Sequence, residues 1–123
     1  MTGATDGIGL ATAKALASQG HDLLLHGHNP EKLAAAEAVV SAVPGAAGVA
    51  GYLADQSKMK AVTLLAEAVI GGHPSLDVVI NNAGILKTPD PVMPNGLDIR
   101  FAVNTLAPYL LTKRLLPALD PAG

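Results

Sequence analysis

The segment Thr2-Gly3-Ala4-Thr5-Asp6-Gly7-Ile8-Gly9 runs without a break into a helix-forming stretch. Three glycines at this spacing, leaving into a helix, are a device for bringing bare backbone against a phosphate. Glycine alone tolerates the close approach and the dihedral angles that such a turn requires. The helix behind the turn presents unsatisfied N–H groups and the positive end of its dipole to an anion. A turn of this kind is entered from a strand, and here only Met1 precedes it. Taken alone, the segment also fits a generic helix-start turn.

Outward from this turn, Gly7 to Gln19 reads as the first helix, with Ile8, Ala11, Ala15 and Leu16 as its apolar stripe and Gly20 as its stop. Leu23-Leu24-Leu25, closed by Gly27 and by Asn29-Pro30, reads as a buried strand. Pro30 opens a second helix through about Ser41, and Pro44-Gly45 breaks it. Gly48 to Leu53 is a strand poor in β-branched residues. Ser57 is expected to cap a third helix to about Ile70, ended by Gly71-Gly72. Asp77-Val78-Val79-Ile80 is the clearest strand of all. A turn-rich stretch from Ala83 to Gly96 follows. The last helix spans about Leu97 to Leu116, where Pro108 is expected to kink or split it. Helices alternating with apolar strands predict an α/β fold: a three-layer, doubly wound parallel sheet with helices on both faces.

Composition narrows the function classes. The chain has 123 residues, half of them hydrophobic, which is one domain's worth of sequence with material for a core. A formal net charge of -2 and the lack of a polybasic stretch argue against nucleic acid or anionic lipid as a partner. No apolar run approaches the roughly 20 residues of a membrane span. A cytoplasmic location is the expectation that remains. There is no cysteine, hence no disulfide framework and no thiol nucleophile. His21, His26, His28 and His73 lack metal-ligand spacing, and no metal site is expected.

Two segments carry chemistry beyond the opening turn. In dinucleotide-binding sheets the end of the second strand meets the adenosine ribose, where a carboxylate would bind the 2′-hydroxyl. Here the tip reads Gly27-His28-Asn29, with Asp22 at the far end of the strand and Glu31 already in the helix. A 2′-phosphate is therefore tolerated, with His28, Asn29 or Lys32 as donors, which favours NADP(H) over NAD(H). His28 also fits an ordinary exposed turn residue. The second segment is Asn81-Asn82-Ala83-Gly84, at the carboxyl end of the clearest strand, where open parallel sheets bind ligands. Asn and Gly are also common in plain turns.

Taken together, Thr2-Gly3-x-x-x-Gly7-Ile8-Gly9 and Asn81-Asn82-Ala83-Gly84 resemble the short-chain dehydrogenase/reductase family. The resemblance continues through Asp55 and through Asn104 in Arg100-Phe101-Ala102-Val103-Asn104. His26-Gly27-His28-Asn29-Pro30-Glu31-Lys32-Leu33 is similar to the retinol-dehydrogenase-like branch, whose members often show Gly-Arg-Asn and prefer NADP(H). His28 stands where Arg is usual. The resemblance implies a Rossmann-type fold, truncated, with the first strand and everything from the fifth strand onward missing. Residues 1–123 would then be a partial dinucleotide-binding domain, a fragment of one single-domain reductase.

The resemblance also assigns roles. Gly3, Thr5, Asp6, Gly7, Ile8 and Gly9 would hold the pyrophosphate and adjoining ribose, although Asp6 occupies a place where some NADP-preferring members carry a basic residue. His28 and Asn29 would face the adenosine ribose. Asp55, with Gln56 beside it, would bind the adenine amino group. Asn82, Ala83 and Gly84 would line the cofactor's central portion. Asn104 corresponds to the asparagine of a catalytic tetrad, which positions a water in a proton relay.

That tetrad also needs a Ser on a fifth strand and a Tyr-x-x-x-Lys on the next helix. A Tyr hydroxyl moves a proton near neutral pH only when a nearby cation stabilises its phenolate. Tyr109-Leu110-Leu111-Thr112-Lys113 has the spacing but lies in the same helix as Asn104, with no strand between them to supply the serine. Its better reading is a helix that packs subunits together, making the parent a homo-oligomer through residues 97–116. The expected function is that of a fragment of an NAD(P)-dependent oxidoreductase acting on a small alcohol or carbonyl compound, inactive in isolation. A non-catalytic NAD(P)-binding sensor is the alternative, and a non-functional truncated gene product a third.

Overall fold

The apolar run after Gly20 forms strand β1, Leu23–Gly27, and the run after Gly48 forms β2, Val49–Leu53. In the computed structural model, which describes residues 1–119, the two strands pair in parallel with Leu23 opposite Val49 and Gly27 opposite Leu53. Helix α1, Gly7–Ser18, precedes β1, and helix α2, Pro30–Ser41, crosses from β1 to β2. The chain divides into two compact units. The first is Met1–Ala54 with Ile80–Ala83, and the second is Asp55–Val79 with the residues from Gly84 onward.

In the first unit, α1 packs on β1 and α2, and α2 packs on both strands. Its core is Ala4, Ala13, Ala17, Leu23, Leu25, Leu33 and Val40, with Leu25 and Val40 fully buried. The buried face of α1 is Gly9, Ala13 and Ala17, spaced four apart, rather than the expected stripe, of which only Leu16 packs partly buried against the core. Ile8, Ala11 and Ala15 face outward, Ile8 being 80% exposed. Small side chains bring the helix axis close to its neighbours, and at this position closeness outweighs the area that larger residues would bury. α2 follows the expected limits, with Asn29 as its N-cap and Pro30 in the first turn.

The short segment Met1–Ala4 is hydrogen-bonded on two sides. His26 N donates to the Met1 carbonyl and Ala4 N to the His26 carbonyl, both over 3.0 Å, while Thr2 N donates to the Ile80 carbonyl over 3.0 Å. The segment thus satisfies backbone groups of both β1 and Ile80, where an unfilled gap would leave them unpaired. The strand expected at Asp77–Ile80 does not form, and Val78 is 71% exposed. A strand needs a run of ladder bonds to a neighbour, and its apolar sequence alone does not supply them.

The second unit contains α3, Met59–Gly72, packed against α5, Ala107–Leu119. Val62, Leu65, Ala66 and Val69 are the buried residues of α3, and Ala107, Leu111, Leu115 and Ala118 those of α5. Ser57 does not cap α3. The N-cap is Lys58 without a side-chain bond, because the Ser57 hydroxyl donates to Asp55 Oδ1 over 2.6 Å. The expected last helix is three pieces: a single turn α4, Ile99–Phe101, a π-helical turn, Ala102–Leu106, and α5. Pro108 is the second residue of α5 and has no N–H to give the Asn104 carbonyl four residues back. The wider turn just before it absorbs that mismatch. The turn-rich stretch closes on itself at Met93–Gly96, where Gly96 N donates to the Met93 carbonyl and Gly96 takes φ +85°.

Candidate dinucleotide site

The glycine turn is held by the Ile80–Ala83 segment of its own unit. Gly3 has φ +63°, and a Cβ there would lie 2.8 Å from the Ala83 Cα. A Cβ on Gly9 would fall on the Gly3 carbonyl and lie 2.6 Å from Asn82 Nδ2. Both positions therefore require glycine for contact reasons. Gly7 differs: its φ is +53°, yet a Cβ would meet nothing within 4 Å. The turn is thus close-packed at Gly3 and Gly9 and open at Gly7, as a backbone cradle for a ligand must be.

Two polar side chains fix this arrangement. Thr2, only 5% exposed, accepts at Oγ1 from Asn82 N over 3.1 Å and from Ala83 N over 3.0 Å. Asn82 Nδ2 donates to the Gly3 carbonyl over 3.0 Å. The Thr5 methyl packs against Gly27 at the end of β1. Asn82 and Ala83 are accordingly brought to the glycine turn, where the sequence pattern alone places them only after an expected strand. Nothing in the sequence signals the role of Thr2 except its place before Gly3.

Asp6 is the N-cap of α1 with extended backbone angles, yet its side chain makes no capping bond. Aspartate is among the best capping residues, so an unused carboxylate here is informative. It turns instead to Lys32, whose Nζ lies 3.2 Å from Asp6 Oδ2. The first-turn N–H groups of α1 are left uncapped by any side chain of their own N-cap. Ile8 stands exposed beside them.

At the end of β1, His28 is exposed and Asn29 half-buried. Asn29 Oδ1 accepts from Lys32 N over 3.0 Å and so caps α2. Of the three residues expected to face a ribose phosphate, Asn29 and Lys32 thus also serve the structure, the one as a cap and the other in an ion pair. His26, which the sequence pattern passes over, is 6% exposed and bonded through both ring nitrogens. Burial is the main cause that pushes its pKa below the ordinary histidine value.

In the second unit, Asp55 Oδ1 accepts from Ser57 N over 2.9 Å as well as from the Ser57 hydroxyl, and Gln56 is buried. Asn104 pairs with the backbone of Ile85 through both ends of its amide: Oδ1 accepts from Ile85 N over 2.8 Å and Nδ2 donates to the Ile85 carbonyl over 2.7 Å. A Cβ on Gly84 would sit 3.3 Å from the same Oδ1. Tyr109 is 66% exposed on α5 with Lys113 Nζ 5.8 Å from its ring centroid. Among the described residues no cluster of three or more His, Asp or Glu could hold a metal ion, and no helix is long and apolar enough to cross a membrane.

Comparison with known proteins agrees with this geometry. The family model described as short chain dehydrogenase matches residues 1–123. An uncharacterized oxidoreductase of Emericella nidulans is 42% identical over 115 residues, covering 91% of this chain and 43% of that protein. Retinol dehydrogenase 13 of Homo sapiens is 33% identical over 123 residues, covering all of this chain and 37% of its own length. Among solved structures, a metagenomic short-chain oxidoreductase in complex with NADP superposes with a TM-score of 0.84 at 36% identity, covering 98% of this chain and 55% of that one. An alcohol dehydrogenase from Thermococcus sibiricus, complexed with 5-hydroxy-NADP, gives 0.83 at 28% identity over 99% of this chain and 52% of its own. The chain thus spans about two fifths of the length of these curated relatives and about half that of these solved chains. The parallel sheet, the crossover helix and the glycine turn are those of a truncated Rossmann-type fold, and the chain belongs to the short-chain dehydrogenase/reductase family, with a retinol dehydrogenase among its relatives.

Proposed function

We propose that the glycine turn and the N-terminus of α1 hold the pyrophosphate of a nicotinamide dinucleotide. The observation that carries this reading is the N-cap of α1: Asp6 turns its carboxylate to Lys32 and makes no capping bond. The N–H groups of that first turn, at the positive end of the helix dipole, are then available to an anion. The open space over Gly7 gives that anion room. Gly3, Thr5, Asp6, Gly7, Ile8 and Gly9 form this cradle, His28 and Asn29 adjoin the adenosine ribose, and Asn82 and Ala83 support the cofactor's central portion. Asp55, Gln56 and Gly84 are assigned to the adenine and central portions by family resemblance.

NADP(H) is the favoured cofactor. The tip of β1 offers His28 and Asn29 rather than a carboxylate, and the Asp6 carboxylate nearby is paired with Lys32. The two solved relatives described above were crystallised with NADP or a derivative of it. The parent reaction is hydride transfer between the nicotinamide and an alcohol or carbonyl substrate, with the cofactor supplying the hydride. Asn104 is assigned to the proton relay by family resemblance, and both ends of its side-chain amide are committed to the Ile85 backbone. The parent is a cytoplasmic, single-domain enzyme. The exposed outer face of α5, with Tyr109 and Leu116, supports its self-association.

This chain alone binds the cofactor without turning it over, because Tyr109 and Lys113 lie on the helix that follows Asn104 directly and no serine strand comes between them. Titrating the chain with NADPH while following nucleotide fluorescence tests the binding. Incubation with NADPH and a panel of aldehydes and ketones tests turnover: cofactor oxidation dependent on the chain would contradict the assignment, as would failure to bind NADPH.

A further inference from the structure

The buried His26 ring spans the glycine turn and the end of β2, and nothing in the proposed chemistry uses it. It is the last residue but one of β1, 6% exposed, and reaches both ways. Gly3 N donates to its Nδ1 over 3.3 Å, and its Nε2 meets the Ala54 carbonyl at 2.8 Å. The two partners fix the proton. A carbonyl only accepts, so Nε2 carries the hydrogen, and the Gly3 N–H only donates, so Nδ1 is bare. The same residue also holds this region through its backbone, since Ala4 N donates to the His26 carbonyl and His26 N to the Met1 carbonyl.

We propose that His26 is a positioning residue for the dinucleotide cradle, acting through the Gly3 amide; this rests on the assignment of the glycine turn to the pyrophosphate. Drawing the Gly3 N–H inward onto Nδ1 sets the peptide plane that enters the left-handed Gly3. That orientation presents the Gly3 carbonyl to Asn82 Nδ2 at 3.0 Å. With both groups of Gly3 held by side chains, the anion is left to the amides later in the turn, at Gly7 to Gly9. The bond from Nε2 to Ala54 does something different, anchoring the ring against the end of β2 so that Nδ1 stays aimed at the turn. A histidine that merely filled the core would need neither a specified tautomer nor a partner at each nitrogen.

Three substitutions separate the two nitrogens. His26→Asn keeps an acceptor near the Nδ1 position and gives up the Ala54 bond. His26→Gln keeps a donor near the Nε2 position and gives up the Gly3 bond, and His26→Ala gives up both. NADPH affinity should stay within about twofold of the unsubstituted chain for the Asn variant and fall about five- to tenfold for Gln and Ala, as suits one hydrogen bond. Melting temperature should fall to a similar degree for Asn and Gln, since each loses one bond. Nitrogen-15 spectra of the unsubstituted chain should show a protonated Nε2 and a bare Nδ1 coupled to the Gly3 amide. Equal affinity losses in Asn and Gln, unchanged affinity in Ala, or a ring protonated at Nδ1 would each overturn the proposal. If the unsubstituted chain binds no NADPH, the cradle assignment fails and the proposal with it. If it binds and the two variants lose affinity equally, the His26 proposal fails alone.

Discussion

Asn82 Nδ2 donates to the Gly3 carbonyl over 3.0 Å, across nearly eighty residues of sequence. This bond makes the Asn-Asn-Ala-Gly segment a buttress of the glycine turn. Its removal should be felt in the turn as much as in the loop that carries it. Asn82→Ala leaves the Gly3 carbonyl without this donor, at a cost of about 1–2 kcal/mol. Urea denaturation should show that loss, together with weakened NADPH binding. An unchanged midpoint would mean the bond contributes nothing to stability.

Gly7 and Gly9 should respond oppositely to alanine in their contacts. In Gly9→Ala the new methyl collides with the Gly3 carbonyl and Asn82. The turn must move, so NADPH binding should be lost and stability should drop by about 2 kcal/mol or more, as for other overpacked sites. In Gly7→Ala the methyl meets no neighbour, and only the left-handed backbone at φ +53° is penalised, by about 1–2 kcal/mol. Parallel melting curves and NADPH titrations of the two variants check the order.

Lys32 is poised between structure and ligand. Its ion pair with Asp6 is exposed, with side-chain accessibilities of 60% and 73%, and such pairs contribute about 0–1 kcal/mol. Lys32→Ala should therefore leave the melting temperature nearly unchanged. It should weaken NADPH several-fold and leave NADH almost unaffected, because only NADPH carries the 2′-phosphate that Lys32 would meet. Equal weakening of both nucleotides would place Lys32 elsewhere.

Acid should destabilise the fold in two stages. Burial, first, and then the nearby Met1 amine and His28 lower the pKa of His26, while its bond to Ala54 opposes them. The unfolded chain then binds the proton more readily than the folded one, so stability falls as pH drops below about 6.5 and levels off once the folded ring is protonated. Asp98 acts lower. Bonds from the Arg100 side chain, first, and its backbone hold the carboxyl at about 2. Its contribution is present above the ordinary carboxylate range and is lost as pH falls toward 2. Melting temperatures measured from pH 8 to pH 2 should show the first decline become smaller in His26→Asn, the buried Met1 amine, whose pKa burial also lowers, keeping its own part of it, and the second vanish in Asp98→Asn.

Elements governed by local chemistry are legible in the sequence. Asn29-Pro30 fixes the start of α2, and Pro44-Gly45 lies just beyond its end, so its limits follow from caps and breakers. The buried face of α1 is not legible in the same way, because Gly9, Ala13 and Ala17 are chosen by close approach to neighbours that the local pattern does not reveal. Asp77–Ile80 shows the converse: strong strand residues form no strand, and of the four only Ile80 takes a backbone bond from Met1–Ala4. Among the candidate residues of the two units the glycines, Asn82 and Asn104 stand out by motif. Thr2 and His26 do not, since their partners are backbone groups brought near only by folding, and backbone groups leave no trace in sequence. Ser57 illustrates competition: its hydroxyl had two acceptable uses, and the Asp55 carboxylate two residues away won it from the helix.

The most direct test of the cradle is an NADPH titration of the nitrogen-15-labelled chain, followed residue by residue through its backbone amides. Saturable shifts should centre on Gly7, Ile8 and Gly9, with little change at the Gly3 amide that His26 already holds. Binding that leaves those three amides unmoved, or no binding at all, would refute the cradle.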